Sequence, residues 1–194
     1  MSMTQTLPTF TTHEYLSLER ASEFRHEYLD GFVYAMAGES PEHSTICFNL
    51  YVAIGLQLRD GTCRGYSPNM KVRADEGGLY AYPDLAIVCG EPVYHDEQRD
   101  MLVNPTVIFE VLSPSTEKYD RGEKSLRYRT QIETLQDYIL VSQDQPRIER
   151  FSREPDGTWS SSEVSGLAGV LALPSIGCQV SLADVYSRIP FPEN

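Results

Sequence analysis

Asp84 and Glu110 are the side chains of this sequence best placed to do chemistry. Asp84 follows Tyr82-Pro83 and precedes the apolar run Leu85-Ala86-Ile87-Val88, and Glu110 lies inside the run Val107-Ile108-Phe109-Glu110-Val111-Leu112. An acid ionised in a low-dielectric interior is unstable by several kcal/mol unless a cation or hydrogen-bond donors compensate it. A divalent cation suits two carboxylates, and Mg²⁺, with Mn²⁺ as substitute, characteristically takes one or two of them and keeps several waters. Such an ion polarises a phosphoryl oxygen and acidifies bound water, so the chemistry expected is hydrolysis of a phosphate ester. Lys124 is the amine that could orient the water or stabilise developing charge, and Glu27 could reach in as a further ligand. Two plainer readings stand beside this one: an Asp after Pro as a turn residue, and Lys124 with Arg121 as a solvated helical face.

These groups must be positioned by strands and one helix. Strand side chains alternate faces, so Asp84 shares a face with Ala86 and Val88, and Glu110 with Leu112. If the two strands are neighbours in register, the carboxylates converge. Apolar runs without alternation imply strands covered on both faces, as in the middle of an α/β sheet. After Ser113-Pro114-Ser115-Thr116 a helix is expected to about Thr130, with Asp120, Lys124 and Tyr128 on one face. Upstream, Thr11 and Glu14 have capping-box spacing for a first helix ending near Ser22, and Phe10 with Tyr15 the spacing of a hydrophobic staple. Residues 24 to 36 read as a hairpin turning at Asp30-Gly31, which puts Glu27 on a strand. Ser40 and Pro41 open a second helix whose apolar face is Ile46, Cys47, Leu50, Ile54 and Leu58, with Gly61 ending it.

Short strands at 63 to 66 and 70 to 73 read as a meander feeding the Asp84 strand. Residues 90 to 104, polar and carrying Asp96, Glu97, Arg99 and Asp100, read as a surface excursion that could wall the site. Strands at 138 to 141, 147 to 153 and 158 to 162 form a second meander. Ser181 and Asp184 have capping-box spacing for a final helix through Arg188. Residues 118 to 129 hold five basic residues against two acids, which makes them the best candidate for phosphate contact; an ordinary amphipathic helix with i,i+4 pairs is the alternative.

The 194 residues fit one domain, 1–194, with a core from about 10 to 188 and short flexible ends. A net charge of -12 argues against non-specific coating of nucleic acid, since Lys and Arg supply most of that affinity. Lysines occur only at 71, 118 and 124, which narrows the candidate amines. The four cysteines, Cys47, Cys63, Cys89 and Cys178, have no C-x-x-C spacing and read as buried thiols, although His43 and Cys47 stand in an i,i+4 relation that could hold a metal. No apolar run is long enough to span a membrane and the first residues lack signal-peptide character, so a cytoplasmic location without membrane partners is expected.

One set of motifs carries a resemblance: Glu27-Tyr28-Leu29-Asp30-Gly31, Pro41-x-His43, Tyr82-Pro83-Asp84, Phe109-Glu110-Val111-Leu112-Ser113-Pro114-Ser115-Thr116, Asp120-x-x-x-Lys124-x-x-x-Tyr128 and Tyr138-Ile139-Leu140-Val141. In order and joint spacing it resembles the Uma family of restriction endonucleases, within the PD-(D/E)XK nuclease superfamily, over about residues 10 to 188. The resemblance implies a restriction-endonuclease-like α/β fold: a mixed central β-sheet flanked by helices, with additional antiparallel hairpins. It also implies Mg²⁺-dependent endonuclease activity, DNA as the nucleic-acid partner, and a homodimer. By the same resemblance Asp84 and Glu110 match the motif's two acids and Glu27 the N-terminal acid that often completes the metal site. The motif's lysine position falls on Leu112, and Lys124 resembles the migrated lysine of parts of the superfamily. That departure motivates the alternative of a catalytically inactive nuclease-like scaffold serving as a binding or regulatory module. His43, Ser113, Asp120 and Tyr128 are possible supporting residues.

Overall fold

The computed structural model describes residues 9–191, and the expectation of flexible ends falls on residues outside these. Local chemistry sets the first elements. Helix α1 (Thr12–Ala21) begins at a capping box in which the Thr11 hydroxyl accepts from the Glu14 N–H and the Glu14 carboxylate accepts from the Thr11 N–H. Strands β1 (His26–Leu29) and β2 (Phe32–Ala35) form the expected hairpin, and Asp30 and Gly31 both have positive φ, 47° and 93°, as a type I′ turn demands. Helix α2 (Pro41–Leu58) is capped by the Ser40 hydroxyl and buries Ile46, Cys47, Leu50, Ile54 and Leu58. Its outer face leaves Phe48, Val52 and Leu56 exposed.

The strands that follow do not form one meander. β3 (Cys63–Tyr66) pairs antiparallel with β6 (Leu85–Cys89), whereas β4 (Lys71–Arg73) and β5 (Leu79–Ala81) pair with each other, and β5 with β1. The chain thus leaves one sheet after β3 and returns to it through Tyr82-Pro83-Asp84. Residues 90 to 104 are not a free excursion either. β7 (Met101–Leu102) is buried and runs parallel to β4, while Asp96 and Asp100 bind Arg20 of α1, so this segment closes the five-stranded sheet β2-β1-β5-β4-β7.

The larger sheet has the order β11-β10-β9-β8-β6-β3, with β8 (Val107–Val111), β9 (Asp137–Val141), β10 (Arg147–Arg153) and β11 (Trp159–Ser165). Within it only β8 and β9 are parallel, and such neighbours need a crossover on one face of the sheet. Here the crossover is α3 (Glu117–Tyr119), a π-helical turn (Asp120–Lys124) and α4 (Ser125–Gln131). Tyr128 and Ile132 of this crossover pack with Ile108 and Leu112, so the helix covers the face that also carries Glu110. The opposite face, with Val107, Phe109 and Val111, packs on α2, on the hairpin β12 (Val170–Leu173) and β13 (Cys178–Ser181), and on α5 (Leu182–Val185). That last hairpin was not expected from the sequence. The final helix is shorter than expected, and Ser181 makes no side-chain capping bond.

Cys63 and Cys89 are not buried thiols. They are directly opposed across β3 and β6, with Cα atoms 3.9 Å apart, and form a disulfide, while Cys47 and Cys178 are free and buried. A separation of 26 residues hides the pairing from any local motif. Among the described residues no helix is long and apolar enough to cross a membrane.

Candidate active site

The antiparallel register that sets Leu85 against Phe109 and Ala86 against Ile108 brings Asp84 opposite Glu110 one step further on. Asp84 is anchored there: its Oδ2 accepts the Val111 N–H at 2.7 Å, and its carbonyl accepts the Tyr51 hydroxyl at 2.8 Å. Glu110 is 3% exposed. The crossover helix lies on the Glu110 face and aims Lys124 at it. The ammonium lies 2.9 Å from Glu110 Oε1, 3.1 Å from Glu27 Oε1 and 3.6 Å from Asp120 Oδ1. A π turn spans Asp120 to Lys124 and so bears two of these groups, and such distortions are frequent at functional sites. Glu27 also accepts the Tyr82 N–H at 3.1 Å, which ties β1 to the segment leading into Asp84.

Charge in this pocket is unbalanced. Glu27, Glu110 and Asp120 surround one lysine ammonium, and Asp84 beside them faces His43. Burial holds the Glu110 carboxyl well above the usual range; Lys124 opposes this, and Asp120, Asp84 and Glu27 reinforce it. Burial likewise raises Asp120, against the pull of Lys124. For Lys124 burial favours the neutral amine, but Glu110 and Glu27 outweigh it and hold the ammonium firmly protonated. The Glu110–Lys124 contact is an ion pair without hydrogen-bond alignment, so Glu110 Oε1 has no hydrogen-bond partner, and neither has the fully buried Tyr128 hydroxyl.

The remaining sequence candidates divide. His43, at the start of α2, brings Nε2 to 3.4 Å from Asp84 Oδ2 and Nδ1 to 2.9 Å from Glu39. Burial opposes its protonation, but Asp84 and Cys47 prevail and its pKa is pushed up to about 11. Ser113 bonds the hydroxyls of Ser115 and Thr116 where the crossover helix begins, so it shapes that turn and touches none of the acids. Leu112 is buried in the core beneath the helix. Glu27, Asp84 and Glu110 do not form a set of three donor atoms within 4.8 Å of one another; among the described residues only Glu39, His43 and Cys47 do. The reason lies in the partners just given: Lys124 bridges Glu27 and Glu110, and Asp84 turns toward Val111 and His43.

Two features were missed or misread from the sequence. Glu19 of α1 is buried and accepts the His26 N–H at 3.0 Å and the Tyr82 hydroxyl at 2.6 Å, so it clasps the two chains at one end of the β1–β5 pair, beside Glu27. Its position on the same helical face as Tyr15 and Leu16 was the available signal. The basic run 118 to 129 is not a free cationic face. Arg121 pairs with Glu117 and Glu149, Arg127 with Glu123, Asp30 and Asp75, Lys124 is buried, and Arg129 lies over Phe151 and Trp159. Lys118 alone of the five is exposed, and among the described residues it makes no ion pair.

Comparison with known proteins agrees with this architecture. A solved structure from Anabaena variabilis, described as "a putative nuclease belonging to DUF820", matches with a TM-score of 0.75 at 17% identity, over 92% of this chain and 98% of its own, which establishes a shared fold. An uncharacterized protein of Synechocystis sp., slr1290, is 34% identical over 185 residues, 95% of each chain. A second from the same organism, sll1609, is 31% identical over 166 residues, 86% of this chain and 93% of its own. The family model described as "Putative restriction endonuclease" matches residues 12–183, and the chain belongs to this family, Uma2.

Proposed function

We propose that the protein is a Mg²⁺-dependent endonuclease that hydrolyses phosphodiester bonds in DNA, acts in the cytoplasm as a homodimer, and accepts Mn²⁺ in place of Mg²⁺. The observation that carries this reading is the opposition of Asp84 and Glu110 across β6 and β8, with the buried Lys124 ammonium 2.9 Å from Glu110. The donor chemistry fits a hard cation: the groups are carboxylates, one oxygen of Glu110 has no hydrogen-bond partner, and the Lys124 ammonium together with the protonated His43 is outnumbered by the four acids. Asp84 and Glu110 would hold the ion, with Glu27 as a further ligand, and it would polarise the phosphoryl oxygen and acidify the attacking water.

The chain's own groups divide the remaining work. Lys124 donates a hydrogen bond to the phosphoryl oxygen on which charge develops. Glu27 and Asp120 keep that amine protonated and in place. The Val111 N–H and His43 fix the Asp84 carboxylate, and Glu110, whose carboxyl burial holds above the usual range, would give up its proton to serve as a ligand.

Incubation of the purified protein with plasmid DNA and Mg²⁺ or Mn²⁺ is expected to yield nicked or linear product, with an RNA of matched length cut more slowly. Asp84→Ala and Glu110→Ala should abolish cleavage while circular dichroism shows an intact fold; variants that cut as well as the native protein would refute the assignment. Calorimetry separates the inactive-scaffold alternative, which Leu112 at the motif's lysine position motivates, because such a scaffold takes up no Mg²⁺. Light scattering checks the dimer.

A further inference from the structure

We propose that Glu39, His43 and Cys47 form a second metal site, of the zinc type, separate from the acid cluster. His43 Nδ1 lies 2.9 Å from Glu39 Oε2 and 3.6 Å from Cys47 Sγ, and the three donor atoms fall within 4.8 Å of one another. Tetrahedral bonds of about 2.0 Å to nitrogen and oxygen and about 2.3 Å to sulfur give donor–donor edges of about 3.3 Å for N···O and about 3.5 Å for N···S. The N···S edge is already met, and the N···O edge needs to open by a few tenths of an ångström.

The sequence builds the site locally. His43 and Cys47 share a face of α2 at i,i+4, and Glu39, one residue before the Ser40 cap, folds back onto them. Cys47 is 4% exposed, whereas the Glu39 side chain is 52% exposed, so the site is closed at its sulfur end and open to solvent at its carboxylate end. A solvent water can take the fourth position there. A donor set of one nitrogen, one sulfur and one oxygen selects Zn²⁺ over Mg²⁺, which requires oxygen ligands. When the ion binds, the Cys47 thiol proton and the Nδ1 proton of the His43 imidazolium both leave to solvent.

The other nitrogen of the same ring faces Asp84. A metal-bound histidine commonly donates its second N–H to a carboxylate, and His43 Nε2 stands 3.4 Å from Asp84 Oδ2. Metal at Nδ1 therefore fixes the tautomer that carries hydrogen on Nε2, and through it the orientation of Asp84. The ligand set includes none of Glu27, Asp84, Glu110 and Lys124, so metal uptake at this site is read without a cleavage assay.

Co²⁺ serves as the probe, because a thiolate ligand gives it a near-ultraviolet charge-transfer absorption that oxygen ligands do not. Titration of the full chain, without reductant so that Cys63 and Cys89 stay bonded, is expected to produce this band at one equivalent, and Zn²⁺ to bleach it. The band should persist in Cys178→Ser and Glu110→Ala and vanish in Cys47→Ser. Glu39→Gln, at an exposed side chain where folding is not at stake, should weaken Co²⁺ binding by about tenfold or more. Absence of the band in the native chain, its survival in Cys47→Ser, its loss in Glu110→Ala, or an unchanged affinity in Glu39→Gln would each overturn the site.

Discussion

Replacing Lys124 with methionine keeps an unbranched apolar stem of similar reach, with sulfur in place of one methylene, and removes the ammonium. In the native protein this group is 4% exposed and lies 2.9, 3.1 and 3.6 Å from Glu110, Glu27 and Asp120. At an effective dielectric near 20, unit charges about 3 Å apart attract by about 5 kcal/mol, and desolvation of the ammonium offsets much of that. Glu110 and Asp120 hold their protons more tightly than usual, which lowers the gain further. The net loss in Lys124→Met is expected to be about 3 kcal/mol at about pH 8, the low end for breaking a buried pair. For a domain of this size that is a fall of roughly 6–12 °C in Tm.

The loss must depend on pH, with a definite sign. Glu110 and Asp120 have folded pKa values above their unfolded ones, so their stabilising contribution is present below the unfolded values and is lost as pH rises through the folded ones. Without Lys124 both folded values rise further. The difference in Tm between native protein and variant should therefore widen from about pH 5 to about pH 8. Calorimetric melts at the two pH values in one salt concentration measure it. Plasmid cleavage should fall by about 100-fold with Mg²⁺ affinity retained, the order of losing one preorganised donor. A difference in Tm that does not change with pH, or a variant more stable than the native chain at the higher pH, would refute Lys124 as the counter-charge of this pocket.

Glu110→Gln should abolish cleavage and yet raise Tm at about pH 8, because it removes an acid whose ionisation burial disfavours; a lower Tm would mean that the carboxylate is a net stabiliser. Mg²⁺ at about 100 times its Kd should stabilise the fold by about 2.7 kcal/mol. That shift should be larger at about pH 8 than at about pH 5, since the ion must displace protons held by raised acids, and melts with and without Mg²⁺ at both pH values check it. Joint replacement of Cys63 and Cys89 by serine should cost about 3.5 kcal/mol in denaturant unfolding, as a closed loop of this length implies, and an unchanged midpoint would show the bond to be inconsequential. In a glutathione buffer at cytosolic poise, thiol counting reports whether the bond persists where such bonds are rare.

Local rules carried much of the fold. The Thr11 capping box, the Asp30-Gly31 turn, the Ser40-Pro41 start of α2 and its buried face depend on contacts within four residues or so, and each is visible in a short window. Period-two alternation likewise put Asp84 and Glu110 on definite faces of their strands. Windows of that size say nothing of partners. The division of β3, β4 and β5 between two sheets, the capture of β7 by β4 and the bond between Cys63 and Cys89 all depend on partners far away in the chain. The basic run was misread for the same reason, since Glu149, Asp30 and Asp75, which bind its arginines, lie on other elements.

For the site, the amino-acid sequence by itself determined the inventory: two acids in apolar strands, a third on a hairpin, and a lysine on the next helix. Tertiary structure decided how they are paired. The parallel placement of β8 and β9 requires a crossover, which lies on the Glu110 face, so the Lys124 ammonium comes to rest between Glu110 and Glu27, and Asp84 is left to Val111 and His43. Burial then makes those pairings strong, because a charge withdrawn from water is governed by whichever neighbour the fold brings within about 3–4 Å, and that neighbour is fixed by topology rather than by spacing along the chain.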